Sequence, residues 1–241
     1  MNTIIYFIFY ILIFKKLWYN EYIFIMNAKT ADFILLIFNC KKYRYKAIKQ
    51  KETWLKYFTI MPFFHVIGDP QLTTEYIIDE TEHILYVKEK DDYNSLPKKV
   101  IAAYEAIQKE YIFKYIFKTD DDQELIHDLF LNVIKKFVST KYPKIHYAGQ
   151  IINVDKPYLS QYCNIHPELP KNLPVLQTQY CSGRFYILSD LAIQQLLTKK
   201  ELIRKEYLED YAIGYYLNPI LKKHMFNIET NKYFIDFKDF N

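Results

Sequence analysis

Three consecutive carboxylates, Asp120, Asp121 and Asp122, close a run of aromatic and β-branched residues that begins at Tyr111. That run has the composition of a covered strand. Carboxylates this close repel one another unless a cation or solvent relieves them. Hard divalent cations take such oxygen ligands, often one or two carboxylates plus substrate phosphates. At the C-terminal end of a strand, the cluster would lie where open α/β sheets bind their ligands. The chemistry open to it is metal-assisted, either hydrolysis of a phosphate ester or departure of a phosphate leaving group. A solvated acidic turn capping the next helix would use the same residues without any chemistry.

Such a strand needs a sheet around it. Phe33–Phe38 is apolar without a break, as suits a central parallel strand. Phe63–Ile67 and His83–Val87 read as further strands, the first closed by Gly68-Asp-Pro70 and carrying His65 as a satisfied core histidine. Helices are expected over Lys41–Phe58, with Tyr43, Ala47, Trp54 and Phe58 in one stripe, and over Lys98–Lys109. A third is expected over Gln123–Phe137, with Leu125, Leu129, Val133 and Phe137 four apart. Strand and helix in alternation predict one α/β domain with a mainly parallel sheet and helices on both faces. Later, Ile145–Ile152 reads as a strand and Pro157–Pro174 as a binding loop. Gly183 precedes a strand, and Ser189-Asp190 caps a helix running through Leu197. A short helix follows at Glu209–Leu217 and a closing strand at Tyr233–Phe237.

Composition sets outer bounds. The 241 residues, 51% apolar and 25% charged, suit one globular domain without repeats. A net charge of +4 with no block of Lys or Arg argues against nucleic acid as a partner. Glycine occurs four times, at Gly68, Gly149, Gly183 and Gly214, against a usual share of about 7%. Each is expected where a side chain is not tolerated, and Gly214, inside a helix, where another backbone packs close. Cys40, Cys163 and Cys181 lack metal-ligand spacing and form no disulfide framework. A single Cys163–Cys181 bridge is open in an oxidising compartment, and Cys40 reads as an inert buried thiol. The apolar run Ile4–Phe14 is too short to span a bilayer, and Lys15 and Lys16 follow rather than precede it. Residues 4–25 therefore read as a membrane tether or as an extension, with the main domain on a membrane or in the cytoplasm.

Five features stand in fixed order: Lys51-Glu-Thr-Trp54, Phe64 to Gly68, Phe117-Lys-Thr-Asp-Asp-Asp122, Tyr180-Cys-Ser-Gly183 with Tyr186-Ile-Leu-Ser189, and Glu209-Asp210 with Gly214. In this order they resemble the β-1,3-galactosyltransferase/fringe family of nucleotide-sugar glycosyltransferases, from Phe33 to Leu217. The resemblance implies a single GT-A (Rossmann-like) domain over residues 28–241, after an extension of residues 1–27. It implies an inverting, Mn2+- or Mg2+-dependent enzyme. The hexose moved would be galactose, N-acetylglucosamine or glucose, passed from a UDP-sugar to a glycan or glycoprotein hydroxyl through a β-1,3 linkage. Asp122 and Asp120 would hold the metal, and His224, the one histidine beyond Leu217, would be a third ligand. Lys51, Trp54, Asp120, Asp121, Gly183 and Glu209 would line the donor site, and Asp210 would be the base. Two departures stand out: Lys51 where arginine is usual, and Arg184-Phe185 where small residues are common. Arg184, with the short stretch after the Glu-Asp motif, motivates an alternative, a protein that holds a nucleotide-sugar or glycan without turnover.

Overall fold

The computed structural model describes residues 28–56, 58–127 and 129–237; the extension of residues 1–27, with its apolar run and the tether read from it, lies outside them. No helix among the described residues is long and apolar enough to cross a membrane. A two-residue strand β1 (Lys29–Thr30) leads into β2 (Phe33–Phe38), whose six side chains are all buried. A strand with no polar face must be covered on both sides, and this one is. Ile34, Leu36 and Phe38 enter one apolar core, while Phe33, Leu35 and Ile37 enter the other.

The chain continues as α1 (Arg44–Glu52), β3 (Phe63–Gly68), β4 (Tyr76–Asp79), β5 (Ile84–Val87), α2 (Leu96–Glu110), β6 (Tyr111–Ile112) and β7 (Tyr115–Asp120). Next come β8 (Gln123–Leu125), α3 (Phe130–Thr140), β9 (Tyr147–Val154), β10 (Tyr158–Ser160), β11 (Leu173–Val175) and β12 (Thr178–Ser189). The last elements are α4 (Asp190–Leu197), α5 (Lys200–Ile203), α6 (Glu209–Tyr216), α7 (Pro219–Lys222), β13 (Phe226–Asn227) and β14 (Phe234–Asp236). The main sheet has eight strands in the order β13-β9-β12-β7-β2-β3-β5-β4. Strands β7, β2, β3 and β5 run parallel, β12 runs antiparallel to both of its neighbours, and β4 is an antiparallel edge. Helices α2, α4 and α6 cover one face and α3 the other. This is the α/β architecture that the alternation of strands and helices predicts.

Local readings fared unevenly. Ser189 caps α4 as expected, its Oγ accepting from Ala192 N at 3.2 Å. The helix expected over Lys41–Phe58 stops at Glu52, so Trp54 lies in the turn after it. The helix expected from Gln123 begins only at Phe130, because Gln123–Leu125 pairs with β14 as a strand. Its buried stripe is Phe130, Leu131, Ile134 and Val138, whereas Leu129 and Val133 face water. Spacing of four marks a stripe but does not choose between adjacent ones. The loop Pro157–Pro174 contains part of a small hairpin, β10 with β11. All three cysteines are free thiols, Cys163 and Cys181 included, and Cys40 is only half-buried.

Candidate active site

Alternation along β7 gives Lys118 and Asp120 one face, shared with Ile116, and turns Phe117 to the other. Lys118 is 1% exposed. Its Nζ donates to Asp120 Oδ1 at 2.6 Å and to the Gly183 carbonyl at 2.7 Å, and lies 3.3 Å from Glu209 Oε2. Burial works against its charge, but Asp120 and Glu209 outweigh burial and hold its pKa up. One buried ammonium thus joins the end of β7, the middle of β12 and the start of α6. Behind it Tyr186 hydrogen-bonds Glu209, and the Tyr104 hydroxyl lies 2.8 Å from that of Tyr186. Glu209 is therefore locked inward at 4% exposure, behind the cleft and not on its surface.

Asp210 follows Glu209 at the start of α6 and turns the other way. Its Oδ2 accepts from Gly183 N at 3.0 Å, and its Oδ1 from its neighbour Tyr211 N at 2.7 Å. Gly183 lies in a register shift of β12 against β9, which frees its backbone for these contacts. A Cβ on Gly183 would stand 3.3 Å from Lys118 Nζ, and 3.6 Å from both Asp120 Oδ2 and Asp210 Oδ2. The β7 carboxylate and the α6 carboxylate therefore face one point that only a missing side chain leaves open. The close packing expected at Gly214 is also present: a Cβ there would stand 2.6 Å from Tyr180 Cα and 2.9 Å from Gln179 O. Helix α6 lies flat on β12 because of it, which fixes Asp210 against Gly183.

The three aspartates divide among three partners. Asp120 faces Lys118, and Asp121 lies 3.9 Å from Lys46 of α1. Asp122 Oδ1 accepts from Gln123 Nε2 at 2.8 Å, and the same nitrogen donates to Asp236 Oδ1 at 2.8 Å. Removal from bulk water pushes Asp120 up to about 6 and Asp121 up to about 7, with neighbouring aspartates adding to the shift. Burial raises Asp210 too, against the pull of Lys118. The cluster is short of positive charge. Among the described residues, however, no three or more His, Cys, Asp or Glu side chains are gathered as a finished metal cage.

A model of the galactosyltransferase family matches residues 45–225. The chain belongs to the galactosyltransferase family. Membership makes it a glycosyltransferase, with a sugar donor and a glycan acceptor in general terms. Comparison with curated proteins gives no match. Among solved structures, one described as a glucose-1-phosphate thymidylyltransferase from Bacillus anthracis is 11% identical, covering 81% of this chain and 85% of that one at a TM-score of 0.42. The inositol-1-phosphate CTP transferase of T. maritima is 9% identical, with coverage of 78% and 80% and a TM-score of 0.41. Likenesses this slight carry no argument about the transferase.

Of the expected site residues, Asp120, Asp121, Asp122, Gly183, Glu209 and Asp210 come together and the others do not. Lys51 binds the carbonyl of Glu82 just before β5, near the N-terminal ends of the parallel strands. Trp54 packs on Phe58 with ring centroids 5.9 Å apart and belongs to the α3-side core. His224 is exposed and close enough to His146 to lower that residue's pKa, which places it beside the start of β9, away from the aspartates. Four residues were missed. Lys118 carried a signal, standing two places before Asp120 inside a buried strand. Tyr186 stood inside the Tyr186-Ile-Leu-Ser189 motif without a role of its own, and Lys46 carried no signal. Asp91 anchors the neighbouring strand ends, accepting from Gly68 N at 2.8 Å and Lys99 Nζ at 3.0 Å.

Proposed function

We propose that the protein is a metal-dependent inverting glycosyltransferase that moves a hexose from a UDP-sugar to a glycan hydroxyl, forming a β-1,3 linkage. The observation that carries this reading is the shared open point at Gly183, 3.6 Å from both Asp120 Oδ2 and Asp210 Oδ2. A displacement with inversion needs the leaving group and the attacking hydroxyl on opposite faces of one carbon. Two carboxylates that converge on one point, with the Lys118 ammonium beside it, supply a group for each role.

The donor set fits a hard divalent cation: oxygens only, Asp120 raised first by burial and then by its neighbouring carboxylate, and too few of them to close a cage. Such a cation keeps positions for water and phosphate. Asp120 and Asp122 would hold it. When bound, it would act as a Lewis acid on the departing diphosphate. Lys118 holds Asp120 in place and lends positive charge to the same region. Asn39 Nδ2, buried at the end of β2 with no partner among the described residues, is a donor at the mouth of the parallel strands. Asp210 would accept the proton of the attacking hydroxyl. Its contact with Gly183 N orients the carboxylate, and its raised pKa makes it a better base than an exposed aspartate.

The test is UDP release from a panel of UDP-sugars with Mn2+ and simple glycosides. Asp210→Asn should lower kcat by about 10²–10⁴-fold while UDP still binds. Asp122→Ala should weaken the dependence on Mn2+. If no donor turns over under any condition but UDP binds tightly, the protein is a nucleotide-sugar binder and the enzymatic reading falls.

A further inference from the structure

Aromatic residues from two loops lie within electrostatic reach of Asp210. Tyr93 stands in the turn before α2, and Tyr162 in a short helical turn between β10 and β11. The His166 ring lies between them. It stacks on Tyr93 with centroids 4.0 Å apart and planes 12° apart, and leans on Tyr162 at 5.0 Å. The Tyr93 and Tyr162 phenols are near enough to influence each other's ionisation. Asn94 Nδ2 donates to Glu168 O at 2.8 Å, which ties the two loops together. The backbone of Tyr162 is pinned as well: its carbonyl accepts from Ile165 N and His166 N, and its N–H donates to Ser160 Oγ at 3.2 Å.

Despite this support, Tyr162 is 41% exposed. Burial raises its phenol above the ordinary value, and the charges of Asp210, Asp120 and Asp122 add to the rise in that order. The ring thus lies within electrostatic reach of the whole carboxylate cluster, nearest in effect to Asp210. Tyr158, Leu159 and Ile165 extend an exposed apolar surface along the same loop. A rigid aromatic face left in water, beside a base, is pre-organised for a ligand with one apolar face and a polar rim. A sugar ring has that form: axial C–H bonds on one face, hydroxyls around the edge. A nucleobase also stacks on a phenol, so the donor nucleotide is the occupant that the test must separate from the acceptor sugar.

We propose that Tyr162, backed by His166 and Tyr93, is the platform on which the acceptor sugar lies, its C–H face on the phenol and a ring hydroxyl turned toward Asp210. This rests on the reading of Asp210 as base. Two measurements on the full chain test it. Saturation-transfer NMR with methyl hexosides needs no turnover. It should show contact through the C–H face in wild type, retained in Tyr162→Phe and lost in Tyr162→Ala. With whichever donor is active, Tyr162→Ala should raise the acceptor KM about three- to tenfold without raising the donor KM. Equal NMR contact in wild type and Tyr162→Ala overturns the platform. So does a higher donor KM in Tyr162→Ala, which would place a nucleobase on the ring, or preference for an alkyl chain over a sugar. Lack of turnover in wild type would overturn the transferase reading alone, because the NMR arm still decides the platform.

Discussion

Asp120 and Asp121 are neighbours in the chain with different electrostatic lives. Asp120 leans on a buried ammonium, whereas Asp121, with its side chain 14% exposed, has only Lys46 at 3.9 Å. Burial pushes the Asp121 carboxyl to about 7, so its ionised form costs stability at neutral pH. The group's raised folded-state pKa favours folding below the unfolded value near 3.9, and that advantage is lost as pH rises toward 7. Asp121→Asn should therefore stabilise the protein by about 1–3 kcal/mol at pH 7 and by little at pH 4, read by urea unfolding at both. An equal gain at the two pH values would contradict this. Burial also raises Asp210, so the base is lost by protonation at a higher pH than for an exposed aspartate. The acid limb of kcat/KM should therefore fall off at a higher pH than an exposed aspartate would give, and Asp210→Asn should flatten it. At this scale the sequence spoke through residues whose type is their chemistry. Carboxylates and a rare glycine could be named before any fold was known. Lys51, Trp54 and His224 could be named too, but whether a side chain reaches the site depends on where its element ends, as α1 does at Glu52.

Among the elements, α6 and β12 carry the geometry. Gly214 has Tyr180 backbone where its side chain would be, at 2.6 Å from a would-be Cβ. Neither a strand nor a helix backbone yields easily, so Gly214→Ala should cost about 2–3 kcal/mol. That corresponds to a fall in Tm of roughly 5–10 °C for a domain of this size. By lifting α6 from β12 it should also separate Asp210 from Gly183, so activity should fall further than the loss of folded protein explains. An unchanged Tm would remove the packing argument. Elements with their own apolar pattern, such as Phe33–Phe38 and the helix capped by Ser189, were legible in advance. Strand β8 was not, because three residues without a pattern become a strand only through a partner more than a hundred positions later. The phase of α3 likewise depends on which side Phe185 and Phe234 occupy.

For the whole molecule, the parallel strands end on one side of the sheet, and the charge imbalance gathers there. A ligand that relieves it should stabilise the fold by mass action. UDP with Mn2+ should raise Tm, excess chelator should remove the metal-dependent part, and Asp122→Ala should abolish that part. A shift equal with and without metal would count against cation binding at the aspartates. One more feature reaches across the molecule. Asp236 of β14 accepts from Arg184 at 2.8 Å and shares Gln123 Nε2 with Asp122, while Phe237 N donates to the Asp122 carbonyl at 2.7 Å. Arg184, out of place for a donor pocket, is thus half of a clasp. During synthesis Asp122 is made more than a hundred residues before its brace. Sheet and cores can form meanwhile, but the turn bearing Asp122 stays unbraced until the last strand is made. A chain truncated before residue 234 should keep its sheet yet bind metal poorly, because the turn bearing Asp122 then lacks its brace.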